Sequence, residues 1–450
     1  MSYYNKYFGY KEACDYLDKS LIFGIKPSLV RINKILDLLD NPQNGKDFIH
    51  IVGTNGKTST AKITASILNK HGLKAGYYIS PHIYSYTERI SIAGKDVSED
   101  DFAEVFNDIF PLILEVNKLG LDGEMTQFEI LTAMLFKLVK DKKIDVMVLE
   151  AGMGGRWDAT NAANAKVVGL TGVSLEHTQI LGKTISKIAE EKSEVIKNNS
   201  LVASMSMDKK VNSILFKKVE TTGSKLFLFG KDFFIKKISQ KSLEGFTVDL
   251  KGIFSEYNDI YFPIVGDYQK KNLLLAVVLS ELYLNTYSRN LRVDYLNDSL
   301  NYTNIFGRFQ ILRKEPIFIV DASHNPEGVS KFIKNLNTYF PENKKIIIFS
   351  VLKDKNYKKM LEYIIKNADM LILTSSNSYR SLSIKELEKA TNEILSKVRK
   401  NNEKYPVAIA SIDNIENSIK YSLNLANKND IISLTGSITN LEFVKSTNFC

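Results

Sequence analysis

The chain has 450 residues, is 44% hydrophobic and carries a formal net charge of +9, which predicts two domains, each with a sizeable core. It contains no run of eighteen apolar residues, and the N-terminal MSYYNKYFGYKEACDYLDK lacks a basic stretch leading into an apolar one. Neither a membrane span nor a secretory leader is therefore expected, and the cytoplasm is the predicted location.

The lysines are dispersed without interleaved aromatics, which argues against a nucleic-acid partner and for a surface that attracts anionic substrates. Cys14 and Cys450 stand near opposite ends, without disulfide or zinc spacing. In chain order, strands are predicted at 47–53, 75–80, 144–150 and 166–173, with helical spacing from Thr58 to Lys70 and from Glu124 to Lys140. This alternation predicts βαβ units and a mostly parallel sheet.

The first strand runs into a glycine turn, FIHIVGTNGKTSTAKI, so Thr54, Asn55, Gly56, Lys57, Thr58 and Ser59 gather backbone N–H groups at a helix N-terminus. That is a cradle for a polyphosphate. It is a shortened relative of the full phosphate-loop pattern, which would need glycine where Ile51 stands. Lys57 suits the outer phosphates of a nucleotide, and the hydroxyls after it suit Mg2+.

Ser80 and His82 follow the second predicted strand, in SPHIYSYTERI. Glu150 ends the third, in IDVMVLEAGMGGRWDATN, where a carboxylate beside a phosphate loop can serve a metal-bound nucleotide. His177 follows the fourth, so Ser80, His82 and His177 are expected to face one crevice with Lys57, whereas His50 and His71 read as structural. Lys192 falls within the apolar stripe Ile185, Ile188, Ala189, Val195 and Ile196. It either snorkels out or has an altered charge, because a buried neutral amine can react with carbon dioxide.

Residues 225–265 read as an antiparallel β-insert, and the polar stretch 287–304, after the helical GDYQKKNLLLAVVLSELYLNT, reads as a linker. A second alternating series runs through PIFIVDASHNP, KKIIIFSVL, MLILTS, VAIASI and DIISLTGS.

GTNGKTST, SPHIYSYTERISI, TQFEILTA, VLEAGMGGRWDATN, LEHTQILGKTISKIAEEK, GDYQKKN, GRFQ, DASHNP and LTGS form an ordered set. It resembles the dihydrofolate synthase/folylpolyglutamate synthase family of the Mur ligase superfamily over essentially the whole chain. The resemblance implies an α/β protein with an N-terminal P-loop domain over 1–297, its mostly parallel sheet joined by the small antiparallel insert. A smaller Rossmann-like C-terminal domain is implied over 298–450.

The resemblance also implies a monomeric ATP-dependent amide ligase with ATP as co-substrate and two Mg2+ ions. L-glutamate would be added to dihydropteroate, to the γ-carboxyl of reduced folates, or to both, giving ADP and phosphate. By position, residues 54–59, with Asn272, Arg308, Asp321 and His324, would contact ATP. Ser80, Glu150, His177 and Lys192 as a carbamate would hold the metals. Thr126, Gln127, Phe128, Glu129, Trp157, Asp158 and Ala159 match segments that border the pteroate site. The groups expected to act in catalysis are Lys57, Glu150, His177 and Lys192. The chain departs from the usual family pattern at Pro27-Ser28, Thr58, Glu176, Ser193-Glu194-Val195 and Phe306.

The chemistry agrees with this reading. Joining a carboxylate to an amine in water is uphill, so the carboxylate must first become an acyl donor, here an acyl phosphate. The alternatives are another Mur-type ligase acting on a non-folate carboxylate, and a P-loop protein that hydrolyses nucleotide as a switch or motor.

Overall fold

The computed structural model describes residues 7–24, 26–303, 305–376, 378–400 and 407–447, which leaves Cys450 outside the described residues. The chain divides into two compact units, residues 1–239, 247–262 and 269–304, and residues 240–246, 263–268 and 305–450.

The first unit is built on an eight-stranded sheet. Its strands are β1 (Asp47–Val52), β2 (Ala75–Tyr78), β3 (Ile90–Ile92), β4 (Lys95–Asp96), β5 (Val146–Glu150), β6 (Val167–Leu170), β7 (Leu201–Ser204) and β8 (Lys225–Leu228). Their spatial order is β4-β3-β2-β5-β1-β6-β7-β8, with every pair parallel except those that β3 makes with β2 and β4.

The helices of this part of the chain are α1 (Tyr10–Lys19), α2 (Val30–Leu38), α3 (Lys57–Lys70), α4 (Glu99–Lys118), α5 (Gln127–Asp141), α6 (Thr178–Leu181), α7 (Ile185–Ser193), α8 (Lys209–Thr222), α9 (Asp267–Asn285) and α10 (Val293–Asn301). All of Phe48–Val52 and Val146–Glu150 is buried, as a parallel sheet covered on both faces requires. Aromatic and aliphatic side chains of α1, α2, α4 and α5 form one core with β1, β2, β5 and β6.

Three strands, β9 (Phe234–Ser242), β10 (Gly245–Lys251) and β11 (Glu256–Phe262), make a small antiparallel sheet. The second unit holds a six-stranded sheet of β12 (Gln310–Lys314), β13 (Ile317–Val320), β14 (Lys345–Phe349), β15 (Met370–Leu373), β16 (Ala408–Ser411) and β17 (Ile431–Thr435). Its order is β12-β13-β17-β14-β15-β16, and only β12 runs antiparallel. Its helices are α11 (Pro326–Tyr339), α12 (Tyr357–Ile365), α13 (Ile384–Lys400) and α14 (Ile415–Leu425).

Two expectations are corrected. Residues 225–228, assigned from sequence to the antiparallel insert, form β8, which pairs parallel with β7 at the edge of the large sheet. Being half-covered, β8 has the composition of an insert strand. The expected linker over 287–304 contains α10, which buries Leu296, Ser299 and Leu300 and docks on α3 through the Ser66 hydroxyl and the Ser299 carbonyl, 2.8 Å apart. Its polar outer face disguised it. The predicted strand ends at 53, 79–80, 144–145, 166 and 171–173 are turns and loops instead, and those at the carboxyl ends, 53, 79–80 and 171–173, border the candidate site.

Candidate active site

Strand order reverses at β1, which lies between β5 and β6. The loops leaving the carboxyl ends of these strands therefore diverge, opening the crevice at which ligands bind in α/β sheets. Gly53–Gly56 leaves β1, Ala151–Asp158 leaves β5 and Thr171–His177 leaves β6.

The β1 loop is braced on the β6 loop. The Thr54 amide donates to the Gly172 carbonyl at 3.0 Å, and the Thr54 hydroxyl accepts from the Ser174 amide at 3.0 Å. Gly56 has φ +90° and ends against Asn272, whose Oδ1 would lie 2.4 Å from an added Cβ, so glycine is required there on two counts. The Lys57 ammonium folds back to donate to the carbonyls of Gly53 (3.1 Å) and Thr54 (3.2 Å). The Thr58 hydroxyl lies 3.1 and 2.8 Å from the two oxygens of buried Glu150, and the Ser80 amide donates to the same carboxylate at 3.4 Å.

Lys192 does not snorkel out. Its side chain is 2% exposed and its ammonium donates to the Gly53 carbonyl (2.9 Å) and to Glu176 (2.8 Å). Burial alone would push the Glu176 carboxyl up, but the ammonium groups of Lys192 and Lys57 outweigh it and hold the carboxyl down at about 2. Burial lowers the Lys192 pKa while Glu176 opposes that shift. His177, at the next position, is exposed, with left-handed backbone (φ +45°) that costs a non-glycine residue about 1 kcal/mol. His82 instead accepts from Arg89 Nε at 2.8 Å and lies against the Tyr86 ring.

The β5 loop is pinned from within. Asp158 Oδ2 accepts from the Met153 amide at 2.8 Å, and Oδ1 accepts from the amide and hydroxyl of Thr160. The Thr160 hydroxyl in turn meets Nε2 of fully buried His50 at 2.8 Å. With its proton given to Asp158, that hydroxyl accepts here, so Nε2 of His50 bears hydrogen. Burial, then the charge of Lys197, keeps the imidazole neutral, at about 3.

Thr126 and Glu129 cap α5 reciprocally, and Arg31 Nε donates to both Glu129 oxygens at 3.1 Å. Gln127 donates to Leu17 and Tyr86. These polar groups of Thr126, Gln127, Glu129 and Asp158 are engaged internally. Trp157 is 49% exposed, and the Phe128 ring lies 2.8 Å from a Cβ placed on Gly152. Ala159 is buried at the start of the turn after Asp158.

On α9, Asn272 donates to Gln269 Oε1 at 2.8 Å, and the Gln269 amide nitrogen is buried without a partner among the described residues. In the second unit Asp321 accepts from the Phe309 amide and the Tyr268 hydroxyl, each at 2.8 Å, and from the amide and hydroxyl of Ser323. Arg308 is half-buried just before Phe309, and His324 Nδ1 lies 3.0 Å from the Ala322 carbonyl. Thus Thr54, Gly56, Lys57, Thr58, Ser80, Glu150, Lys192 and Asn272 form one connected set in the first unit. Arg308, Asp321 and His324 cluster in the second.

The donor set suits a magnesium nucleotide. No group of three His, Cys, Asp or Glu side chains able to hold a metal occurs among the described residues. Mg2+ does not need one, since it is held by one or two carboxylates with hydroxyls, water and phosphate oxygens. Glu150 with the hydroxyls of Thr58 and Ser80 fits that pattern, and the unpartnered Gln269 amide is a spare donor on the helix that meets Gly56. Two members of the site had no independent signal in the sequence. Glu176 lies far from Lys192 in the chain, and Gln269 is hidden in an apolar helix.

Residues 51–280 match the Mur ligase middle domain and residues 307–438 the Mur ligase glutamate ligase domain. The chain is 33% identical over 383 residues to the dihydrofolate synthase/folylpolyglutamate synthase of Mycobacterium tuberculosis, covering 82% of this chain and 78% of that protein. It is 27% identical over 430 residues to the protein of the same name from Bacillus subtilis, covering 95% and 96%. Among solved structures it resembles Mycobacterium tuberculosis folylpolyglutamate synthase complexed with ADP and AMPPCP, with TM-score 0.88, 29% identity and 97% of each chain covered. It also resembles folylpolyglutamate synthase from Thermotoga maritima, with TM-score 0.81, 26% identity, and 97% and 96% covered.

Proposed function

This chain belongs to the dihydrofolate synthase/folylpolyglutamate synthase family of the Mur ligase superfamily and is an ATP-dependent glutamate ligase, and from that premise we propose how its residues divide the work. The reaction begins with attack of the folate or pteroate carboxylate on the γ-phosphorus of ATP, which gives an acyl phosphate and ADP. The amine of L-glutamate then attacks the acyl carbon, an amide bond forms, and phosphate and a proton leave. Little covalent work falls to the protein, which must position three substrates and neutralise charge.

One observation carries this reading. At the strand-order reversal the Lys57 ammonium lies on the carbonyls of the glycine loop, and the hydroxyl of the next residue, Thr58, is bonded to Glu150. The loop 54–59 is assigned to the phosphates, Lys57 swinging from the Gly53 and Thr54 carbonyls onto the transferred group. Asn272, Arg308, Asp321 and His324 are assigned to the nucleotide. Ser80, Glu150, His177 and Lys192 as a carbamate would hold Mg2+, which supplies charge neutralisation on the phosphates.

In the pteroate region, Phe128 and Trp157 offer surface, and buried Ala159 starts the turn behind Trp157. Thr126, Gln127, Glu129 and Asp158 shape it through the internal bonds they make. The ligase domains are assigned to 1–297 and 298–450, acting as a monomer in the cytoplasm. No helix of the described residues is long and apolar enough to cross a membrane.

The test is phosphate release with MgATP and L-glutamate, with dihydropteroate in one reaction and tetrahydrofolate in another, and mass spectrometry of the products. Glutamate addition in both establishes both activities, and addition in one selects between them. No addition in either, with ATP bound, would overturn the folate assignment.

A further inference from the structure

A cavity of about 370 Å3 opens in the first unit beyond the C-terminal end of α7, lined by Asn164, Glu194, Lys197, Asn198 and Lys218 among others. Its charges do not balance. Lys218 pairs with Glu194 at 2.9 Å, while the other Glu194 oxygen is 3.5 Å from Arg156, which also pairs with Glu191 at 3.0 Å.

Half-buried Lys197 has no partner for its ammonium among the described residues, and the side-chain amides of Asn164 and Asn198 make no hydrogen bond there either. Three cations, Arg156, Lys197 and Lys218, thus share two carboxylates. Burial, then the charge of Lys218, pushes the Lys197 pKa down, with Glu194 opposing. An ammonium held near a second ammonium, with spare amide donors around it, is short of negative charge.

We propose that this cavity binds a small organic anion bearing two or more carboxylates. Lys197 and Lys218 would each take one carboxylate, and the Asn164 and Asn198 amides would complete the donor set. The volume lies at the lower end of the range for organic ligands and is generous for a lone inorganic ion. Two sources share this chemistry: a short γ-glutamyl chain, which rests on the glutamate-ligase reading above, and a free tricarboxylate.

The site touches the catalytic region at two points. An anion on Lys218 competes with Glu194, which also pairs with Arg156, the neighbour of Trp157, so its binding redistributes that shared ion pair. In addition, α7 itself contains Lys192.

Trp157 is the only tryptophan and gives a direct readout. The full-length protein, without ATP or folate, is titrated with tri-γ-glutamate, with citrate and with inorganic phosphate, following calorimetry and Trp157 fluorescence. Tri-γ-glutamate is expected to bind. Its affinity should fall about tenfold or more in Lys197→Gln and in Lys218→Gln, as expected when a charge-assisted hydrogen bond is lost, and should be retained in Lys197→Arg. The same lysine dependence with citrate but not the peptide would assign the free-tricarboxylate source.

Equal affinity in wild type and Lys197→Gln would overturn the site, and phosphate as the sole ligand would overturn its carboxylate chemistry. Thermal melts check that each variant is folded. Because binding is read without turnover, a failure of the ligase assay would count against the proposed reaction and leave this result standing.

Discussion

Thr58 and Glu150 are joined across the carboxyl ends of adjacent strands, the hydroxyl of one 3.1 and 2.8 Å from the two carboxylate oxygens of the other. The Thr58 hydroxyl and the Ser80 amide both donate to this buried carboxylate, and an oxygen ligand of this kind beside a phosphate loop is what a hard cation takes. Burying that carboxylate at a strand end gains nothing for packing, which is the reason to assign it to function.

Glu150→Gln keeps the shape and the Thr58 contact but removes the charge. Ligation should drop at least about 100-fold, with the melting temperature within a few degrees of wild type. Lys57→Ala should behave alike, because its ammonium contacts only loop carbonyls. Near-normal turnover in either variant, measured as phosphate release, would show that the nucleotide-metal site lies elsewhere.

Gly56→Ala is expected to act through the nucleotide. The new Cβ would meet Asn272 Oδ1 at 2.4 Å and occupy a backbone conformation at φ +90° that alanine disfavours. The strain should cost about 1–2 kcal/mol of stability and raise the KM for ATP by roughly tenfold or more, since the loop must shift to relieve it. An unchanged KM for ATP would mean that this turn does not border the nucleotide.

The phosphate loop was legible because its signal is local: a β-branched strand, two glycines, a lysine and a helix within sixteen residues. Glu150 was legible for the same reason. The pairing of Lys192 with Glu176 was not, because it depends on how the β6 loop folds back on α7. The bond from Arg31 to Glu129 spans 98 positions, and no pattern in either segment announces it. The α10 helix escaped because few of its residues face inward, and β8 because an edge strand of a large sheet and a strand of a small insert bury similar faces.

His50 makes acid sensitivity predictable. Its imidazole stays neutral in the folded state down to about pH 3, whereas in the unfolded chain it protonates near 6.5. Below 6.5 the unfolded state therefore binds a proton that the folded state does not. Stability falls as pH falls, by about 1.4 kcal/mol per unit, or about 2 kcal/mol between pH 7 and pH 5. Urea unfolding at those two pH values should show a loss about 2 kcal/mol smaller in His50→Gln than in wild type, the remainder coming from His82, which burial also holds down at about 3, and from His71, which burial also lowers. An identical pH dependence in the two proteins would mean that His50 is not the group responsible.

Lys192→Ala separates a charge partner from a metal ligand. Removing the ammonium leaves Glu176 largely buried without its counter-ion, which should cost about 3 kcal/mol and raise the carboxyl from its depressed value, so the variant should melt lower. Ligation should be lost as well. Two rescues then diverge. If the side chain serves only to pair with Glu176, the double variant Lys192→Ala with Glu176→Ala should recover activity together with stability. If Lys192 acts as a carbamate, the double variant stays inactive, and bicarbonate or a short carboxylate added to Lys192→Ala restores part of the rate by standing in for the missing anion. Full activity in the unsupplemented single variant would remove the carbamate, since neither the charge nor the anion would then be needed for glutamate addition.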